Sequence, residues 1–145
     1  MLNDLKKIDL HEYPIQTYEK IRYADMDRQG HVNNALFSTF LETGRIEILR
    51  DEKLKDSIRQ SEFVIAHLSL NFLGEIEWPG TVEIGTGIIS IGHSSMRLVQ
   101  GIFQKNILKA TAESVIVQVD VTSKKAKPLS ENYKEIIKKH TFNLK

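Results

Sequence analysis

The sequence predicts an α+β fold in which an antiparallel sheet curls around one long helix. Three observations carry this. One apolar stripe of helical spacing covers residues 36–48, and four strand-like segments follow it, separated by short turns. Short turns force antiparallel neighbours. A lone long helix must bury its stripe on the sheet. The 145 residues fit one domain, taken as 1–145. A chain of that size buries roughly 68–70% of its unfolded surface and needs no staples.

The first strand is read in "PIQTYEKIRYA", residues 14–24, where Ile15, Thr17, Glu19, Ile21 and Tyr23 alternate with Gln16, Tyr18, Lys20 and Arg22. Its β-branched and aromatic residues suit a pleated surface. In the helix, Leu36, Phe37, Phe40, Leu41, Gly44 and Ile48 recur at three- and four-residue spacing. Gly44 lies on that face. Glycine in a helix costs about 1 kcal/mol against alanine, so close packing on the sheet is expected there. Asn33 or Asn34 caps the start. A second helical stretch is expected around Glu52 to Arg59.

The remainder reads as strands. "FVIAHLSLNFL" sets Ala66, Leu68, Leu70 and Phe72 against His67, Ser69 and Asn71. "WPGT", residues 78–81, signals a turn. "VEIGTGIISI" is followed by the turn "GHSS", residues 92–95, and then by "MRLVQGIFQ". Lys105 and Asn106 form a tight connection into the longest strand, where Val115, Val117, Val119 and Val121 alternate strictly. "KPLSENYKEIIKKH" closes the chain as a short helix with Ser130 at its N-cap. Both termini are expected to be loose. The sheet face away from the helix needs a partner or a polar coat, which points to a dimer.

Composition narrows the function. There is no cysteine, which excludes a disulfide framework, a thiol nucleophile and a thiolate metal site. Twenty Lys+Arg stand against 19 Asp+Glu, and this balance argues against a nucleic-acid partner. "MLNDLKKIDL" lacks a secretory apolar region, and no apolar run approaches the roughly 20 residues that span a bilayer. A cytoplasmic protein with no membrane partner is the expectation. His11, His93 and His140 have no partner at metal-ligand spacing, so no metal is expected.

The chemistry concentrates in "YADMDRQGHVNNALF", residues 23–37, between a strand and a helix. A helix N-terminus offers free N–H groups and the positive end of the macrodipole. These groups stabilise anions, including the oxyanion formed when a thioester carbonyl is attacked. A carboxylate beside that point can orient or deprotonate water, or attack directly. Gly30 permits a sharp turn. Residue types alone leave a second reading open, since Asp25, Asp27 and Asn34 also suit turns and caps. His31 likewise suits a hydrogen-bonded corner.

The stretch from Arg22 to Leu49 resembles the 4-hydroxybenzoyl-CoA thioesterase-like family of acyl-CoA thioesterases, which has the hotdog fold. The shared pattern is Tyr23, Asp25, Asp27, Gly30 and Val32, then a helix carrying Glu42 and Arg45. The resemblance covers roughly Thr17 to Leu129. It implies that Asp27 is the catalytic carboxylate and that the backbone N–H of Asn34 holds the oxyanion. It implies that Asp25 supports the turn, and that Glu42 and Arg45 brace the site. Gly30 and Asn33 count as substrate-binding candidates.

The segment "GHVNN" is closer to the plant-type acyl-carrier-protein thioesterases, where an Asp-x-Asn-x-His pattern is implicated. Asp27 and His31 match it, while Gln29 replaces the asparagine. His31 is therefore a third catalytic candidate, and the carrier of the acyl group, coenzyme A or acyl carrier protein, stays open. In hotdog proteins the turn holding Ser94 and Ser95 can approach the pantetheine arm, so both are substrate-binding candidates. The resemblance implies no consumed cofactor and a site at a subunit interface, hence a homodimer or homotetramer. A non-catalytic thioester-binding module on the same fold is the competing expectation. Arg97, Lys124, Lys125 and Lys127 read as solvated charge, and His67 as structural.

Overall fold

The computed structural model describes residues 2–55 and 59–144. A short helix α1 (Leu2–Leu5) precedes strand β1 (Ile15–Lys20). The long helix α2 (Ala35–Leu49) follows, then β2 (Ser61–Phe72), β3 (Thr81–Ile91), β4 (Ser95–Gln104), β5 (Ile107–Asp120) and α3 (Glu131–Ile137). The strands form one antiparallel sheet in the order β1-β3-β4-β5-β2. With α2 packed on one face, this is the expected α+β hotdog arrangement.

The helical stripe is the buried one. Phe37, Phe40, Leu41, Gly44 and Ile48 all face inward. Phe37, Phe40 and Leu41 join Ile84, Ile102 and Ala112 in one core, and Ile48 joins Ile88, Leu98 and Ile116 in a second. The helix leans over β1, β3 and β4 and leaves the β2 side of this face less covered. A Cβ at Gly44 would stand 2.7 Å from Ile84, Thr86 and Gln100 side-chain atoms. Gln100 holds this approach by donating to the Leu41 carbonyl and to Thr86 Oγ1, both at 2.9 Å.

Overpacking costs about 1–3 kcal/mol, while alanine regains only about 1 kcal/mol of helix propensity. Gly44→Ala is therefore expected to lose about 1–2 kcal/mol in urea unfolding. An unchanged midpoint would show that the helix has room to lift.

Several local expectations hold. Lys105 and Asn106 take φ of 51° and 62°, the geometry of a tight two-residue hairpin. Ser130 caps α3 by accepting from the Tyr133 amide at 3.0 Å.

Others are corrected. β1 ends at Lys20 rather than Ala24, and Tyr23–Asp25 form a 3₁₀ turn. The expected helix after residue 51 is a 3₁₀ turn over Glu52–Leu54, and residues 56–58 of that expectation lie outside the described residues. In β2, a bulge between Ile65 and His67 leaves Ala66 unpaired and breaks the simple alternation. β2 does not neighbour β3. Residues 73–80 carry the chain across the sheet end, with Ile76 plugged into the core, and β2 becomes an edge strand beside β5. The valine row of β5 faces away from α2, because Ala110, Ala112 and Ile116 line the helix side.

The termini are packed rather than loose. Leu5 and Tyr13 bury against Val99 and Phe103 on the outer face, joined by Phe142 and Leu144. Burial also pushes the Tyr13 phenol well above the ordinary tyrosine range, with Glu12 adding to the shift.

Candidate active site

A small hairpin carries Asp27. Met26 bridges Val32, the Asp27 N–H donates to the His31 carbonyl at 2.8 Å, and the Gly30 N–H donates to the Asp27 carbonyl at 3.2 Å. Gly30 takes φ of 86° at the tip, and a Cβ there would meet nothing. The glycine is thus needed for its left-handed backbone rather than for space.

The two acids have separate tasks. Asp25 is 3% exposed. Its Oδ2 accepts from the Arg22 amide at 2.8 Å, and its Oδ1 accepts from Arg22 Nε at 3.0 Å and Nη2 at 2.8 Å. Its carbonyl accepts from the Asn33 amide at 2.9 Å, which ties the turn to the start of α2. Asp25 is consumed by structure. Asp27 is half-buried, and its Oδ1 accepts from the Gln29 amide at 2.9 Å and the His31 amide at 3.3 Å. Among the described residues its Oδ2 meets no donor.

The helix start sharpens the choice between the asparagines. Asn33 Oδ1 accepts from the Ala35 amide at 3.0 Å, whereas the Asn34 side chain makes no capping bond. Asn33 is therefore the side-chain cap. Among the described residues the Asn34 N–H meets no acceptor. It stands unengaged at the positive end of α2, where a developing oxyanion would find a donor.

His31 lies beside Asp27 through its backbone, while its ring points elsewhere. Nε2 is 2.8 Å from Glu75 Oε2. Glu75 carries no local signal in the sequence, because the return of residues 73–80 to this hairpin is a long-range event. The Val32 amide donates to the Ile76 carbonyl at 2.9 Å and fastens that segment here. Nearby, Tyr23 and Trp78 pack edge to face at 5.1 Å, both with exposed rings.

Other candidates are distant. Ser94 and Ser95 sit at the opposite end of the sheet from Asp27 within one protomer, with the whole of β3 running between the two ends. Glu42 and Arg45 lie further along α2 and line a cleft against β2. Arg97 pairs with Glu113, Lys124 with Glu62 at 2.7 Å, and Lys127 donates to the Arg59 carbonyl at 3.3 Å. Among the described residues, no three His, Asp or Glu side chains gather to share a metal ion. Among them, too, no helix is long and apolar enough to cross a membrane.

Residues 21–137 match the family model of the thioesterase-like superfamily. The chain belongs to the thioesterase-like superfamily. Solved structures resemble it across most of its length. A predicted thioesterase from Bacillus stearothermophilus is 23% identical, with a TM-score of 0.80 over 88% of this chain and 96% of the other. A thioesterase from Thermus thermophilus, complexed with coenzyme A and Zn, is 27% identical, with a TM-score of 0.72 over 86% and 92%. A 1,4-dihydroxy-2-naphthoyl-CoA thioesterase from Synechocystis is 19% identical, with a TM-score of 0.73 over 85% and 94%. A sequence comparison with curated proteins returned no match. For this member of the superfamily, the matched span includes the Asp27 hairpin, all of α2 and strands β2 to β5.

Proposed function

We propose that the protein hydrolyses acyl thioesters and that its substrates are acyl-CoA thioesters. The observation that carries this is the Asp27 carboxylate. One oxygen is fixed by two amides and the other is open, on the same hairpin that ends at the unengaged Asn34 amide. In the reaction, water adds across the C–S bond to give a free acid and a thiol. Asp27 attacks the carbonyl or activates the water, and the Asn34 N–H stabilises the oxyanion. No cofactor is consumed. Membership of the superfamily supports thioester hydrolysis, and the coenzyme A complex of the Thermus protein supports that carrier.

Strand β2 supports a homodimer. It is a sheet edge with exposed Val64, Ile65 and Phe72, and an open edge of this kind invites another strand. Antiparallel pairing of two β2 strands would bring Ser94 and Ser95 of the partner subunit to the end of the sheet that holds Asp27. Those serines would then contact substrate only across the interface.

The test of carrier is direct. Matched acyl-CoA and acyl-carrier-protein substrates are compared by kcat/KM. Preference for the carrier protein would replace coenzyme A in this reading, and binding without thiol release would make the protein a thioester-binding module.

His31→Ala is expected to lower turnover by less than the roughly hundredfold that a positioned acid or base contributes at minimum, because the ring contacts Glu75 rather than Asp27. A loss as large as that of Asp27→Asn would argue for a coupled Asp–His pair.

A further inference from the structure

The segment that crosses the sheet end meets the β4–β5 hairpin in a cleft of about 360 Å³. Pockets for small ligands start near this size, at roughly 300 Å³. Trp78, Pro79 and Ile107 supply its apolar lining, and Glu77, Lys105 and Lys109 its charge. Two lysines against one glutamate leave it net positive. None of this lining belongs to α2 or to the β2 edge.

The aromatic wall is held in place. Gln104, which is 6% exposed, accepts from the Glu77 amide at 3.1 Å and donates to the Glu77 carbonyl at 2.8 Å. These two bonds fix the main chain next to Trp78. Tyr23 packs against Trp78, and the Trp78 side chain still stays 42% exposed. An exposed aromatic ring on a fixed main chain suits the stacking of a base.

Both lysines are placed by the backbone. Lys109 is the extra residue of a β-bulge, because Ile102 and Phe103 pair with Ala110 and Leu108 and leave it unmatched. Bulges re-aim side chains. The Lys109 stem lies across Gly74, 3.2 Å from where a Cβ would stand, and the Lys109 carbonyl accepts from the Leu73 and Gly74 amides at 2.9 and 3.1 Å. Lys105 takes the first position of the hairpin turn, where asparagine, aspartate or glycine is preferred, so the turn itself does not demand a lysine. Among the described residues, neither ammonium group has an ion-pair partner.

Resting on the acyl-CoA reading above, we infer that this cleft takes the adenosine 3′,5′-bisphosphate end of coenzyme A, with adenine stacked on Trp78 and the phosphates on Lys105 and Lys109. Lysine binds phosphate as a point charge, and an aromatic ring beside two cations matches a base beside its phosphates. The position fits as well. The Val32 amide ties Ile76 to the Asp27 hairpin, and Trp78 follows two residues later. The nucleotide and thioester ends of one substrate therefore meet the same end of the sheet. A docked carrier protein would need about 800 Å² of surface on each partner, whereas this cleft suits one small ligand.

The sequence holds one tryptophan, so its fluorescence reports on this cleft. Adenosine 3′,5′-bisphosphate is expected to quench it saturably, and pantetheine, which lacks the nucleotide, to leave it unchanged. Lys105→Gln and Lys109→Gln are each expected to weaken the bisphosphate about tenfold, with unchanged circular dichroism. Trp78→Ala, followed by calorimetry, is expected to weaken it at least about fivefold.

Calorimetric binding with no change in fluorescence would place the nucleotide elsewhere and overturn the inference. So would the absence of binding, or wild-type affinity in a variant carrying both Lys105→Gln and Lys109→Gln. Quenching by an acyl-carrier protein but not by the bisphosphate would overturn it in favour of a protein partner. The titration needs no turnover, so a failure of the hydrolase reading would leave a positive result standing. Hydrolysis of acyl-CoA without quenching by the bisphosphate would defeat this inference alone.

Discussion

Asp27→Asn is expected to lower acyl-CoA turnover by about a thousandfold or more with the fold unchanged. The amide side chain keeps an oxygen at the Oδ1 position, so it can still accept from the Gln29 and His31 amides. What disappears is the negative charge on the open oxygen, which is the atom proposed above to attack the carbonyl or activate water. The hairpin keeps its remaining ties, the Met26–Val32 bridge and the Val32 amide to Ile76 carbonyl bond. Steady-state thiol release and thermal unfolding, measured on the same preparation, separate the two effects. A variant with near-wild-type turnover would remove Asp27 from the chemistry.

Asp25→Ala is expected to show the opposite signature. Asp25 is buried and accepts from the Arg22 amide and guanidinium, and its removal leaves these donors unmatched at the turn. Arg22 is largely exposed and can find water, which keeps the cost below that of breaking a fully buried pair. The expected loss is about 2–3 kcal/mol, or roughly 4–12 °C in Tm for a chain of this length. Turnover of the protein that remains folded is expected to fall less than in Asp27→Asn. If Asp25→Ala kept its Tm and lost its activity, the two acids would have to exchange roles.

This division between neighbouring acids was legible in the sequence only through the family pattern. Residue types alone allowed both to be turn residues, and the structure shows that Asp25 is one. The helix face, the Lys105–Asn106 hairpin and the Ser130 cap were legible because their signals are local. Periodicity, turn chemistry and capping each act within a few residues of the chain. What escaped was long-range. Nothing near residue 75 announces that Glu75 returns to His31, and nothing in β2 announces an edge beside β5. The apolar spacing at Leu5, Tyr13, Phe142 and Leu144 is too sparse to reveal two termini covering one face of a sheet. The valine alternation of β5 marks a two-faced strand without saying which face meets the helix. The row on the helix side is Ala110, Ala112 and Ile116, and the valines take the other face. Asn33 and Asn34 could not be told apart because both suit a cap, and only the hydrogen bonds assign the side chain to one and the open amide to the other.

Release of the thiol separates a chain that cleaves thioesters from one that merely holds them. The most direct measurement is continuous detection of free thiol when the purified wild-type protein meets a panel of acyl-CoA and acyl-carrier-protein thioesters. Multiple turnovers on at least one of them, and their loss in Asp27→Asn, are the expected result. Saturable binding across the panel with no thiol released by the wild type would contradict it.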